Sequence, residues 1–128
     1  MRDDLPTRSR FAAVVSFTSF LLALACLAFL AWFVPADRRG YFKLFGDLKM
    51  ELPGITKLML SIPDFVFPVA AVGTALVAIA IQWSLRSKVG AALFHMFVVV
   101  FCCLTFVAYR EAVFQPLSSL IRTLSNSP

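Results

Sequence analysis

From Phe11 to Val34 the chain runs for 24 residues without a charged side chain. At about 1.5 Å per residue, a helix of that length crosses a hydrocarbon core of about 30 Å. A cleaved signal peptide is the rival reading, but its apolar region holds only about 7–15 residues. Ala23-Leu24-Ala25-Cys26 is weakly similar to a lipoprotein cleavage box. There a large residue is expected first and a small one second, and here the apolar run continues to Val34, well past Cys26. A retained span is expected.

Two further apolar runs follow, Val66–Leu85 and Val89–Tyr109. Only 15% of the residues are charged against about 25% in soluble domains, and 60% are hydrophobic, so lipid is the expected solvent. At 128 residues one integral membrane domain is expected, residues 1–128. The formal charge of +5 reads as headgroup anchoring and topology. No basic stripe interleaved with aromatics lies outside the spans, so nucleic acid is not an expected partner. Arg86-Ser87-Lys88 is the whole break between the second and third runs, which forces an antiparallel hairpin.

Small and polar residues form stripes within the spans. Ala12, Ser16, Ser19, Ala23 and Cys26 share one side of the first, and Phe17, Leu21, Leu24 and Ala28 lie opposite. Ala71, Thr74, Ala75, Ala78 and Gln82 share one side of the second. Small residues let helix backbones approach closely in lipid, so these stripes should face protein. Gln82 must find a partner helix or the headgroups. It lies about a turn from Arg86, which makes the headgroups the simpler reading. In the third span His95, Cys102, Thr105 and Tyr109 fall within about 80° of one another, and Cys102 and Thr105 are expected helix-packing positions. Trp32 belongs to an interfacial aromatic belt.

The first connector, residues 35–65, is the one long amphipathic stretch. Pro35 to Gly40, with Asp37, Arg38 and Arg39, reads as the exit from the first span, and Tyr41–Met50 as a short helix. A second helix should begin after Pro53 and stop at Pro63. Ile55, Leu58, Met59 and Ile62 form its apolar face, with Thr56, Lys57 and Ser61 on the others. Tethered between spans, it should lie along the bilayer surface; the plainer alternative is a solvated connector. A last amphipathic segment, residues 116–124, starts at Gln115-Pro116, with Leu117, Leu120, Ile121 and Leu124 on one face. The expected fold is thus an all-α membrane protein: three transmembrane helices, with amphipathic surface helices in the first connector and at the C-terminus.

The order Phe45, Asp47, Leu48, Glu51, Leu52, Pro53, Thr56, Leu60 resembles the periplasmic connector of the polytopic platform proteins of type II secretion and type IV pilus assembly. Val34-Pro35 and Asp64-Phe65 are similar to the residues that open and close it there, with Pro63 standing where that family usually has serine. The resemblance covers about Val34–Phe65 and implies no catalytic chemistry. Platform proteins carry helical cytoplasmic domains before the first span and after the second. The few polar residues at the corresponding places here imply a reduced relative of their membrane-embedded part. The resemblance implies a cytoplasmic N-terminus in a bacterial inner membrane. Counting Lys and Arg does not add to it: Arg2, Arg8, Arg10, Arg86 and Lys88 would be inside, and Arg38, Arg39, Lys43, Lys49, Lys57, Arg110 and Arg122 outside.

His95, the only histidine, is a candidate by virtue of its place in a span. It could ligate haem or chlorophyll magnesium in a cavity lined by Ala91, Ala92 and Val99. The competing reading is a histidine bonded within the bundle, and no second histidine completes a two-histidine haem site. Cys26, Cys102 and Cys103 show no C-x-x-C spacing and read as small apolar residues. His95 and Cys102 lie about 10 Å apart along a helix, too far to share a metal. No phosphate loop, zincin motif or nucleophile elbow is present. The expectation is a non-enzymatic structural or assembly subunit without a cofactor, in contact with the lipid bilayer and with other membrane subunits or its own copies. The alternative is an accessory subunit of a respiratory or photosynthetic complex that binds a pigment or haem through His95.

Overall fold

The computed structural model describes residues 4–49 and 51–127. Residues 1–3, 50 and 128 lie outside them, among them Arg2 and Met50, which figure in the expectations above. Four helices follow in order: α1 (Asp4–Leu48), α2 (Gly54–Ser61), α3 (Val66–Ser84) and α4 (Lys88–Ser125). There is no strand among the described residues. α1, α3 and α4 are each long and apolar enough to cross a membrane, the mark of a multi-pass helical membrane protein.

Side-chain partners give the arrangement. Phe20 lies against His95, Phe33 against Phe106, and Asp37 meets Tyr109, so α1 and α4 run parallel. Ser16 meets Gln82 and Arg38 lies over Phe67, so α3 runs antiparallel to α1. Ser87 starts α4 by accepting a bond from the Gly90 amide at 3.3 Å, satisfying one of the open donors of the first turn. The core is a file of small and medium side chains, Ala23, Leu27, Val98 and Cys102, with Cys26, Ala71 and Ala75 packed against it. A second cluster, Val34, Tyr109 and Val113, lies farther along. Ser16, Ser19 and Ala23 are buried, whereas Phe17 and Leu21 are exposed.

Helix lengths separate a slab from a headpiece. The 19 residues of α3 span about 28 Å, close to a hydrocarbon core. The 45 residues of α1 and 38 of α4 extend about 67 Å and 57 Å, far more than a crossing needs. Trp32 and Trp83, 82% and 83% exposed, stand near opposite ends of the slab. Since Gln82 is level with Ser16, they are separated by roughly 25 Å along the axis, the spacing of two interfacial belts. Beyond the first turn of α3, the ends of α1 and α4 form a headpiece with α2.

This differs from the expectation in two places, the first connector and the C-terminal segment. α1 does not exit at Pro35–Gly40 to restart at Tyr41; it is one helix through Leu48, with Pro35 inside it. α4 likewise does not end at Tyr109 but continues through Pro116 to Ser125, so residues 116–124 are its last turns rather than a separate segment. An interior proline removes one hydrogen bond, and a helix survives this where neighbours satisfy the freed group. The charges that mark an exit, Asp37 to Arg39, are themselves satisfied by partners on other elements.

Ala23 is fully buried between helices while Ala28 is exposed on the same helix. We therefore expect Ala23→Leu to destabilise the bundle by about 1–3 kcal/mol through overpacking. Ala28→Leu should change stability by less than about 0.5 kcal/mol. Reversible unfolding of the full chain in mixed micelles measures both.

Candidate functional site

Polar side chains converge where the slab meets the headpiece. Pro116 has no amide hydrogen, so the carbonyl four residues earlier, Ala112 O, is left without its helical donor. Thr56 Oγ1 donates to that oxygen at 2.7 Å. Thr56 is 1% exposed and Pro116 is equally enclosed, so water cannot serve instead. A defect in α4 thereby becomes the anchor of α2.

A second tie lies beside it. The Arg38 guanidinium is buried, and donates through Nη1 to Met59 O at 3.2 Å and through Nη2 to Asp64 Oδ1 at 2.9 Å. Its carbon sits 5.6 Å from the centre of the Phe67 ring. Arg39 Nε reaches the other Asp64 oxygen at 3.1 Å but is largely exposed, so that pair contributes little. On the far side of α1, Tyr109 Oη donates to Asp37 Oδ2 at 3.0 Å. α1, α2, the α2–α3 turn, α3 and α4 all contribute to these ties.

The face of α2 that packs against the protein is the one opposite Ile55 and Leu58, the residues expected to face the bilayer surface. Ile55 and Leu58 are each 67% exposed, whereas Thr56 and Leu60 are buried. The hydroxyl wins because the Ala112 carbonyl needs a donor that no aliphatic side chain supplies. Of the other connector residues behind the platform-like pattern, Phe45 is buried and Leu52 half-buried, while Asp47, Leu48, Glu51 and Pro53 are exposed. Within the slab Gln82 is turned into the bundle rather than toward the headgroups, since its Oε1 accepts from Ser16 Oγ at 2.9 Å. The hydroxyls of Ser19, Thr74 and Thr105 return to carbonyls of their own helices, so they act as small residues and not as interhelical ties. Ala12 and Cys26 are half-buried, and Ala78 and Cys102 buried.

His95 is fully buried, with Phe20 at 5.3 Å and Phe94 at 5.9 Å between ring centroids. Its Nε2 lies 3.3 Å from Ala78 O. A carbonyl can only accept, so Nε2 carries a proton there. Nδ1 is buried without a hydrogen-bond partner. An axial ligand must aim a bare nitrogen at a slot wide enough for a macrocycle, and a ring with no exposed surface offers none. The residues around His95 do not fit a haem or chlorophyll as they stand. Among the described residues no group of three or more His, Cys, Asp or Glu could hold a metal ion.

Spacing alone does not reveal these ties, although one signal was available: every interior proline frees the carbonyl four positions before it, and Ala112 follows from Pro116. No protein-family model, curated protein or solved structure matches this chain. Fold and site together define a class only, a helical multi-pass membrane protein whose buried polar groups bind its own helices together.

Two expectations follow. Thr56→Val leaves the Ala112 carbonyl unsatisfied and should cost about 1–3 kcal/mol. In a Pro116→Ala background the new amide serves that carbonyl, so the same change should cost at least about 1 kcal/mol less. Arg38→Met should cost about 1–3 kcal/mol, below the range for a fully buried pair because Asp64 is 40% exposed and keeps Arg39. Arg39→Met should cost less than about 0.5 kcal/mol. Unfolding in mixed micelles, run as a double-mutant cycle for the first pair, reads all of these.

Proposed function

We propose that this chain is a non-enzymatic structural or assembly subunit of a bacterial inner membrane, a reduced relative of the platform proteins of secretion and pilus assembly. Its N-terminus is cytoplasmic and its headpiece stands on the periplasmic side. The observation that carries this reading is the docked connector. Thr56 and Arg38 hold α2 against α4 and α1, leaving Ile55 and Leu58 pointing outward. A connector built only to join two spans has no need of buried ties. Nor does a short amphipathic helix present its larger apolar residues outward unless lipid or another subunit covers them. Arg38, Asp64, Asp37 and Tyr109 are engaged in holding helices, which suits a scaffold better than a catalyst.

Gentle solubilisation followed by native mass measurement tests it. We expect a mass above that of one chain, from self-association or a co-purifying membrane subunit, and Ile55→Ser with Leu58→Ser should reduce it. A lone monomer with no partner overturns the proposal. The rival reading, a pigment- or haem-binding accessory subunit, rests on His95 alone, and the enclosed ring gives it no support. Visible absorption that disappears in His95→Ala would reinstate it.

A further inference from the structure

Where the first turn of α3 meets α1 lies a cleft of about 470 Å³, within the size range of small-ligand sites. Ala31, Trp32, Pro35, Ala36, Phe65 and Pro68 form its apolar walls, and Arg39 and Asp64 line its outer end. Its depth follows from Ser16, which meets Gln82. Val66, the first residue of α3, precedes Gln82 by sixteen residues, and Trp32 follows Ser16 by the same number. In antiparallel helices this sets Val66 level with Trp32, and Trp32 and Phe65 do line the same cleft. Since α3 is just long enough to cross the hydrocarbon, Trp32 marks its edge. Pro35 and Ala36 then lie about 4–6 Å beyond that edge, and the backbone of Arg39 about 10 Å. Helix side chains lean toward the N-terminus of their own helix, which on α1 is toward the slab. Asp64, two residues before α3, also holds Arg39 Nε at 3.1 Å. The guanidinium therefore sits within the headgroup layer, which is about 5–8 Å deep.

Charge is unbalanced at this level. Asp64 accepts through Oδ1 from Arg38 at 2.9 Å and through Oδ2 from Arg39 at 3.1 Å, so two guanidiniums share one carboxylate and a positive charge is left over. Arg38 is enclosed, whereas the Arg39 side chain is 73% exposed. Arg39 engages only its Nε, and its two terminal nitrogens have no partner among the described residues. That planar fork matches a phosphate. The first turn of α3 carries no acidic residue and no capping side chain, so the positive end of its dipole adds to the same sign.

We propose that this cleft binds an anionic phospholipid, its phosphate on the free end of Arg39 and its glycerol and upper acyl carbons against Trp32, Ala36, Phe65 and Pro68. The order along the cleft is that of a phospholipid: apolar walls at the hydrocarbon edge, and a cation one headgroup farther out. A lipid with a net negative charge neutralises the leftover guanidinium. Phosphatidylcholine brings its own quaternary ammonium and leaves that charge standing. Inorganic phosphate would satisfy Arg39 but leave Trp32 and Phe65, 82% and 65% exposed, uncovered. The tie from Arg39 to Asp64 has little weight for stability, yet it holds the guanidinium over the cleft. The site is the same whichever side of the membrane the headpiece faces.

Trp32 is itself the reporter. The full chain carrying Trp83→Phe is reconstituted into vesicles of phosphatidylcholine mixed with phosphatidylglycerol, either of them brominated on its acyl chains. We expect brominated phosphatidylglycerol to quench Trp32 more strongly at equal mole fraction. Arg39→Gln should lower that preference about fivefold, the weight of one cation near an anionic surface. Ala36→Leu, which fills the cleft, should lower it too. Both residues are exposed, so neither change threatens the fold. Arg110→Gln is the control. Tyr109 meets Asp37, so the exposed Arg110 stands at about the depth of Arg38 but outside the cleft, and its loss should leave the preference unchanged. Equal quenching by the two lipids, a preference indifferent to either cleft substitution, or one lowered as much by Arg110→Gln as by Arg39→Gln overturns the proposal. So does competition by millimolar inorganic phosphate, which would make the ligand a soluble anion. Native mass spectrometry of the unsubstituted chain and of Arg39→Gln/Ala36→Leu gives an independent reading: phosphatidylglycerol should remain bound to the first and be lost from the second.

Discussion

A carbonyl oxygen that has lost its donor dominates the design of this molecule. Where burial shuts out water every backbone group needs a partner within the protein, and Pro116 takes one away from Ala112. The 2.7 Å bond from Thr56 closes that gap. It also dictates where α2 sits, which of its faces turns inward, and therefore which residues stand outside. With Thr56 inward, Leu60 joins it in the interior, and Ile55 and Leu58 have no choice but to face out. A single hydroxyl thus outweighs a larger aliphatic surface, because an unsatisfied buried carbonyl costs about as much as one or two exposed aliphatic side chains.

The charges at the slab boundary follow the same logic with larger stakes. A guanidinium buried as deeply as that of Arg38 is tolerated only when its donors are engaged. It meets a backbone carbonyl, a carboxylate and a ring face, on three different elements. Asp64 lies in the turn before α3, so the Arg38 pair sets the level at which α3 enters the slab relative to α1. Tyr109 and Asp37 do the same for α4. Because Asp64 is partly solvated and shared with Arg39, its pair with Arg38 positions these elements more than it stabilises them.

What the sequence discloses divides along physical lines. The three spans are legible because each is a long uncharged run, and length alone decides them. The small-residue stripe of α1 is legible because 3.6-residue periodicity puts Ser16, Ser19 and Ala23 on one side, and that side is buried. Prolines and charges mislead for a common reason. Pro35, Pro116 and the Asp37–Arg39 run are all stop signals by local rules, and each stays inside a helix; for Pro116 and for the charges a residue distant in sequence supplies the partner. The docking of α2 through Thr56 is hidden for the same reason: an amphipathic pattern weighs apolar area and is blind to an acceptor on another helix.

Register in such a bundle cannot come from apolar packing alone, since lipid tails compete with side chains on equal terms. Leu27 against Val98 would be nearly as content one turn away. Directional contacts break that degeneracy, and they recur along the axis. Ser16 with Gln82 ties α1 to α3 at one end, His95 with the Ala78 carbonyl ties α4 to α3 in the middle, and Tyr109 with Asp37 ties α4 to α1 at the other end. Each joins a different pair of helices, so the three close a triangle and leave no helix free to slide. In this setting a buried histidine with one nitrogen engaged and the other idle has sufficient reason to exist as a spacer between α3 and α4. A leucine there would fill the same space and leave the sliding motion unopposed.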